Sequence, residues 1–152
     1  MKKILIYIII FFWTIPSINA EDIKRIVVGN RDAKITIIAY ESLTCSHCAN
    51  FHKKVYPDLK KEFIETGKVF IEYRNFPLNL AALNAAKIAH CKNNGKAEIL
   101  HFLFQNFDNW VVGSTVEQLN KNLKKLINDQ NFNLDLNKCL ENKKIEDFIL
   151  EE

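Results

Sequence analysis

Polar and apolar residues fall into three regimes along the chain. An unbroken apolar run, Ile4 to Trp13, stands behind two lysines; a mixed segment follows, and from Asn79 onward the pattern is helical throughout. In the mixed segment, "KITIIAY", Lys34 to Tyr40, is a continuous β-branched run that predicts a strand covered on both faces. Phe51, Val55, Leu59 and Phe63 then recur every four residues up to Gly67, which predicts a helix with those four side chains on its core face. Pro57 falls inside it and removes the amide that would bond to the carbonyl of Lys53, so a single bent helix is expected. "KVFIEYR", Lys68 to Arg74, makes a second strand. The intervening helix excludes a hairpin and implies a right-handed βαβ unit with parallel strands.

The helical part, about residues 79–152, opens with "LAALNAAKIAHC", capped by Asn79 and ending near Gly95. A second segment carries Ile99, Leu100, Leu103, Phe104 and Phe107. The third starts at "STVE", where Ser114 and Glu117 suit a capping box, and it places Val116, Leu119, Leu123, Leu126 and Ile127 on one face. Leu134 to Leu140 and a segment with Ile145, Phe148 and Ile149 complete it. Phe102, Phe104, Phe107 and Trp110 read as core rather than as a binding groove. The predicted class is α/β: a βαβ unit followed by a small helical cluster.

The first twenty residues change the picture of where this fold resides. "MKKILIYIIIFFWTIPSINA", residues 1–20, reads as a secretory signal peptide with cleavage after Ala20, although Ile18 is bulkier than such a site prefers. Its apolar run is shorter than the ~20 residues of a spanning helix and Pro16 interrupts it, which leaves an N-terminal membrane anchor as the weaker alternative. Without Lys2 and Lys3 the 21 basic residues become 19 against 18 acidic ones, a balance that argues against nucleic acid as a partner. Residues 21–152 suit one domain in the periplasm or outside the cell. All four cysteines, Cys45, Cys48, Cys91 and Cys139, lie in that part, where disulfides are permitted.

Candidate chemistry is concentrated in "SLTCSHC", Ser42 to Cys48, between the first strand and the helix. A thiol at a helix N-terminus lies near unpaired amides and the positive end of the helix dipole, so the pKa of Cys45 should fall. His47 can add charge or a hydrogen bond to the same sulfur, and Cys48 follows one turn on. Two sulfurs so placed can exchange a disulfide with a substrate and resolve the mixed disulfide within the chain. Three other uses compete. A staple across three positions closes too short a loop to stabilise much. Cys45, Cys48, His47 and His52 can supply metal ligands, but no second C-x-x-C or H-x-x-x-H follows at zinc-finger spacing. Haem attachment needs a histidine where Ala49 stands.

With these residues in place, "GNRDAKITIIAYESLTCSHCANFHKKVYPDLKKEFIETGKV" followed by "YRNFPLNLAALNAAKIAHC" resembles the DsbA-like thiol-disulfide oxidoreductases of the thioredoxin superfamily. The resemblance is close from Gly29 to Cys91. It continues loosely through "LFQNFDNW" and "CLENKKIEDFILEE", which look like the family's inserted helical domain. It implies a thioredoxin fold, an exported thiol oxidant, reduced or unfolded exported proteins as substrates, a membrane re-oxidising partner and no organic cofactor. By position, Cys45 matches the attacking cysteine, Cys48 the resolving one, and Ser46 and His47 the residues between; many members carry proline where Ser46 stands. The resemblance also implies further strands and a cis-proline loop beyond the helical part. None of Pro16, Pro57 or Pro77 stands where that proline would, so the expectation is a truncated or split member whose last strands would join near Glu152. A non-catalytic remnant or helical interaction module is the rival from another class, and a metal-binding protein the third.

Cys91 ends the Ala-rich helix and Cys139 lies on a later one, so a structural bridge between them is expected in an oxidising compartment, two separate buried thiols being the alternative. His52 reads as a partly exposed surface residue, and His90 and His101 as ordinary helix positions. Glu41 is the only acid close before Cys45 and could relay protons, as buried carboxylates near such sites can, but many members of the family it resembles carry an acid where Ala39 stands, which leaves its side of the strand open, and no role is assigned to it.

Overall fold

The structure, a computed structural model, describes residues 22–152; the expected signal peptide, residues 1–20, lies outside the described residues. Among the described residues three strands form one sheet in the order β1–β3–β2: β1 is Ile26–Gly29, β2 Ile35–Glu41 and β3 Val69–Asn75. β2 and β3 run parallel, with Ile35 opposite Val69 and Glu41 opposite Asn75, as the βαβ reading requires. β1 pairs antiparallel with β3, Ile26 opposite Tyr73. Four residues are too few to display a period, so β1 gave no signal in the sequence and is defined by its partner. Its last residue must be glycine: Gly29 has φ +99°, and a Cβ there would lie 2.6 Å from the Val69 carbonyl oxygen.

β3 is the buried central strand, but β2 departs from expectation. Ile38 and Tyr40 are 47% and 53% exposed, because only the face of β2 that bears Ile37 and Ala39 is packed on the core; Ile35, on that same face but at the start of the strand, is 55% exposed. A continuous apolar run therefore did not mean two covered faces.

The helix after β2, α1, spans residues 46–64 as alternating segments: α-helical Ser46–Asn50 and Tyr56–Leu59, π-helical Phe51–Val55 and Lys60–Ile64. Pro57 lies in the first turn of the second α-helical segment, where its missing N–H is absorbed by the wider turn before it. Each π turn adds a residue and rotates the side-chain register. The buried stripe is consequently Ala49, His52, Tyr56 and Ile64, whereas Val55 and Phe63 of the expected stripe are exposed.

Six helices follow: α2 Leu80–His90, α3 Glu98–Gln105, α4 Phe107–Trp110, α5 Val116–Asn128, α6 Leu136–Glu141 and α7 Lys143–Leu150. Asn79 caps α2, its Oδ1 accepting the Ala82 N–H at 2.9 Å. The buried alanines of α2 let α3, α5, α6 and α7 approach it closely. The capping box of α5 lies one residue later than expected, on Thr115 and Gln118, whose side chains accept each other's backbone N–H groups. One contiguous core runs from Ile26, Ile71 and Tyr73 of the sheet to Leu103, Phe104, Trp110, Ile145 and Ile149 of the helices. A disulfide joins Cys91 to Cys139, with Cα atoms 5.3 Å apart across a sequence separation of 48, and ties the end of α2 to α6. Nearby, the buried ammonium of Lys87 donates to Glu146 on α7, whose carboxyl is held down to about 2 by hydrogen bonds from Lys143 and Lys87.

Candidate active site

β2 ends at Glu41, and the loop Ser42–Leu43–Thr44 turns the chain into α1, the Cys45 N–H donating to the Ser42 carbonyl at 3.0 Å. Cys45 is the N-cap of α1, in extended backbone conformation (φ −89°, ψ 118°), and its carbonyl accepts the Ala49 N–H at 3.0 Å. That geometry leaves the sulfur beside the free amides of the first turn. The Cys48 backbone N–H is the largest influence lowering its pKa below the ordinary 9.0; the Cys48 thiol and the His47 backbone N–H act in the same sense, while partial burial and the charge of Glu41 oppose them. The His47 imidazole itself is exposed, so its influence on Cys45 runs through the main chain.

Cys48, half-buried one turn further on, behaves oppositely. Burial pushes its thiol up to about 11, with Cys45 and the charge of Glu41 adding to the effect and a backbone bond at Ser42 offsetting part of it. Both thiols are free. The pair therefore combines an accessible sulfur whose pKa is lowered with a shielded one whose pKa is raised and which keeps its proton at neutral pH.

Three residues left unassigned on sequence grounds converge behind this pair. His52 is fully buried rather than partly exposed; its Nε2 lies 2.7 Å from Glu41 Oε2 and its Nδ1 3.0 Å from Nδ1 of His101. Phe104 stacks on the His52 ring at 4.1 Å and Tyr56 on the His101 ring at 4.2 Å, fixing both planes. The Nε2 of His101 and the hydroxyl of Tyr73 are buried without hydrogen-bond partners. The hints available in sequence were the i, i+4 spacing of Cys48 and His52 and the position of Glu41 shortly before Cys45; His101 comes from α3 and carried none. His90 is also buried, on the far side of the sheet end, where its Nε2 meets Asn75 Nδ2 at 3.0 Å. The proposed metal donors do not converge: His47 points outward, His52 is held by Glu41 and His101, and no group of three His, Cys, Asp or Glu side chains among the described residues is placed to hold an ion.

The family model described as Thioredoxin matches residues 21–152. The chain belongs to the thioredoxin family. A Rickettsia bellii protein provisionally named a protein-disulfide oxidoreductase is 33% identical over 100 residues, which are 64% of this chain and 39% of that protein; the chain thus spans about two-fifths of this relative's length. The crystal structure of alpha-DsbA1 from Wolbachia pipientis is similar at a TM-score of 0.67 and 34% identity, covering 84% of this chain and 64% of that one. A protein-disulfide isomerase structure from Novosphingobium aromaticivorans, with a TM-score of 0.71 at 18% identity, shares the fold. Within the thioredoxin family the chain is thus DsbA-like, a mixed α/β thioredoxin fold carrying a helical cluster.

Proposed function

We propose that this chain is an exported thiol-disulfide oxidoreductase that transfers a Cys45–Cys48 disulfide to reduced, unfolded proteins. The observation that carries this reading is the placement of the two sulfurs at one helix N-terminus, Cys45 as the accessible N-cap whose pKa is lowered and Cys48 half-buried one turn on with its pKa raised. In the oxidised protein a substrate thiolate attacks the accessible Cys45 sulfur; the Cys45–Cys48 bond breaks and Cys48 leaves with the electron pair, taking up a proton. The substrate's second thiolate then attacks its own sulfur in the mixed disulfide, closing a substrate disulfide and releasing Cys45 as the thiolate that the helix end stabilises. Two electrons have passed from substrate to protein. Stabilising that thiolate favours the reduced protein, which makes the oxidised pair an oxidant.

Apolar side chains near the site suit an unfolded substrate. Phe76 and Leu78 on the loop that follows β3 and Leu80 at the start of α2 are exposed, and the loop is tied to the cysteine loop by Leu78 N–H to Ser42 Oγ and by Asn79 Nδ2 to Thr44 Oγ1 at 3.1 Å. Export is supported by the Cys91–Cys139 bridge, which suits an oxidising compartment. No helix among the described residues is long and apolar enough to cross a membrane; a membrane-bound re-oxidising partner belongs to the same reading. The test is a stoichiometric reaction of the oxidised chain with a reduced, unfolded protein, followed by loss of free thiols. Oxidation well above the uncatalysed rate is the expected result. A rate equal to background overturns the oxidant and favours a binding remnant.

A further inference from the structure

We propose that the free edge of β2, together with the cavity at its C-terminal end, is a strand-addition site that holds an extended segment of a reduced, unfolded protein beside Cys45. The inference rests on the redox reading above and adds to it where the substrate chain lies and which of its side chains is selected.

β2 is an edge strand among the described residues. Its register on β3 decides which of its main-chain groups are taken: the Ile35 N–H donates to the Lys68 carbonyl and the Glu41 carbonyl accepts the Phe76 N–H, so odd-numbered residues face β3. Thr36, Ile38 and Tyr40 therefore turn both N–H and C=O outward, and no described residue bonds these main-chain groups. An added extended segment of about five residues would satisfy all three. Their side chains lie on the face of β2 turned away from the core, and all are exposed. No charge or proline interrupts the strand before Glu41, so nothing blunts this edge.

The edge leads into a cavity of about 510 Å³ lined by Tyr40, Asn75, Phe76, Pro77, Leu150 and Glu152. Its walls are already fixed. The Arg74 guanidinium lies over the Tyr40 ring, 5.6 Å from the centroid, and donates to its hydroxyl at 2.9 Å. The Glu152 carboxylate is held by Arg25 and by the backbone and side-chain N–H groups of Asn75. With that charge neutralised, Tyr40, Phe76, Pro77 and Leu150 offer an apolar seat to one aromatic or branched side chain of the added strand. Past the cavity the loop continues through Leu78 and Asn79, which are bonded to Ser42 and Thr44, so a segment lying on β2 with one side chain in the cavity runs on toward Cys45. A second copy of this chain fits the edge less well: paired antiparallel about Ile38, it sets Thr36 against Tyr40 and carries the charge of Lys34 toward the cavity.

The test measures oxidation of synthetic dithiol peptides by the oxidised protein, each peptide carrying a short uncharged run of valine and threonine around one phenylalanine, with its two cysteines before or after that run. N-methylation of alternate peptide residues removes hydrogen-bond donors in one frame and spares the other, and it needs no change to the protein. Methylation in one frame should slow oxidation by about tenfold and in the other by no more than about twofold. Replacing the peptide phenylalanine with serine should slow oxidation by about tenfold with the unsubstituted protein and by no more than about twofold with Leu150→Asp, a change at an exposed cavity wall. An equal response to the serine peptide in both proteins overturns the cavity as the seat. Equal rates in the two methylation frames overturn strand addition. So does a dimer in sedimentation that Ile38→Lys dissociates, which assigns the edge to a second copy. Oxidation of dithiothreitol separates this inference from the one beneath it: fast dithiothreitol oxidation without frame dependence removes the docking site and leaves the redox reading standing, whereas dithiothreitol oxidised no faster than background overturns both.

Discussion

The two cysteine pairs of this chain are chemically the same and physically opposite. Cys45 and Cys48 are three residues apart on one turn, free and partly accessible; Cys91 and Cys139 are 48 apart on two helices, bonded, with Cys139 fully buried. A disulfide across three positions constrains little of the unfolded chain, so its formation and loss are set by how each sulfur is solvated and hydrogen-bonded. A bridge across 48 positions restricts the unfolded ensemble strongly and stabilises by roughly 4 kcal/mol in the chain-entropy model. The short pair is thus suited to trading electrons, the long pair to holding helices.

Swapping the consequences of the two pairs is the severest way to break this contrast. Cys45→Ser should reduce oxidation of an unfolded substrate by about a thousandfold or more while leaving the unfolding midpoint of the reduced protein nearly unchanged. The double substitution Cys91→Ala with Cys139→Ala should do the reverse, lowering the unfolding free energy by about 4 kcal/mol in denaturant titration with the Cys45 alkylation rate unaltered. Loss of activity in the second variant while it remains folded would show that the pairs are not independent.

How far this division was legible in the sequence depends on how local its causes are. The strand, helix and strand around the short pair were readable because each is a long run with its own period, and Cys45 at a helix start follows from that order alone. Asn79 as a cap was equally local. The buried face of α1 was misread because two π turns move the register, which no four-residue spacing reveals. β1 and the exposed face of β2 depend on which strands end up as neighbours. The Glu41, His52 and His101 cluster was least legible of all: its members come from β2, α1 and α3, and their types suit a solvated surface as well as a buried chain.

The pH dependence sharpens the contrast, because only the reduced short pair titrates. Cys45 has a folded pKa below its ordinary 9.0, so its contribution to the stability of the reduced protein is present above that ordinary value and is lost as pH falls through the folded one. Cys48 has the opposite sign: its contribution is present below 9.0 and is lost as pH rises through about 11. The stability of the reduced protein relative to its Cys45–Cys48 oxidised form should therefore peak near pH 9 and decline on both sides. Urea midpoints of the two forms at pH 6, 9 and 10.5 check this; a difference independent of pH would mean that neither sulfur is perturbed.

The smallest effect tests whether the two regions communicate through Asn79. Its Oδ1 caps α2, the helix that carries Cys91, and its Nδ2 donates to Thr44 Oγ1, next to Cys45. Asn79→Ala removes both bonds and should cost about 1 kcal/mol of stability. Asn79→Ser keeps a capping oxygen but cannot reach Thr44, so its stability should stay within a few tenths of a kcal/mol of the parent. Thr115→Ala removes the cap of α5, far from Thr44, and is the control for a lost cap alone. If the Thr44 bond helps to hold the loop that presents Cys45, both Asn79 variants should shift the Cys45 alkylation rate by about twofold and Thr115→Ala should not. An equal shift in all three would assign the effect to general loosening of the helical cluster, and the link between the two cysteine pairs at Asn79 would be no more than a shared helix end.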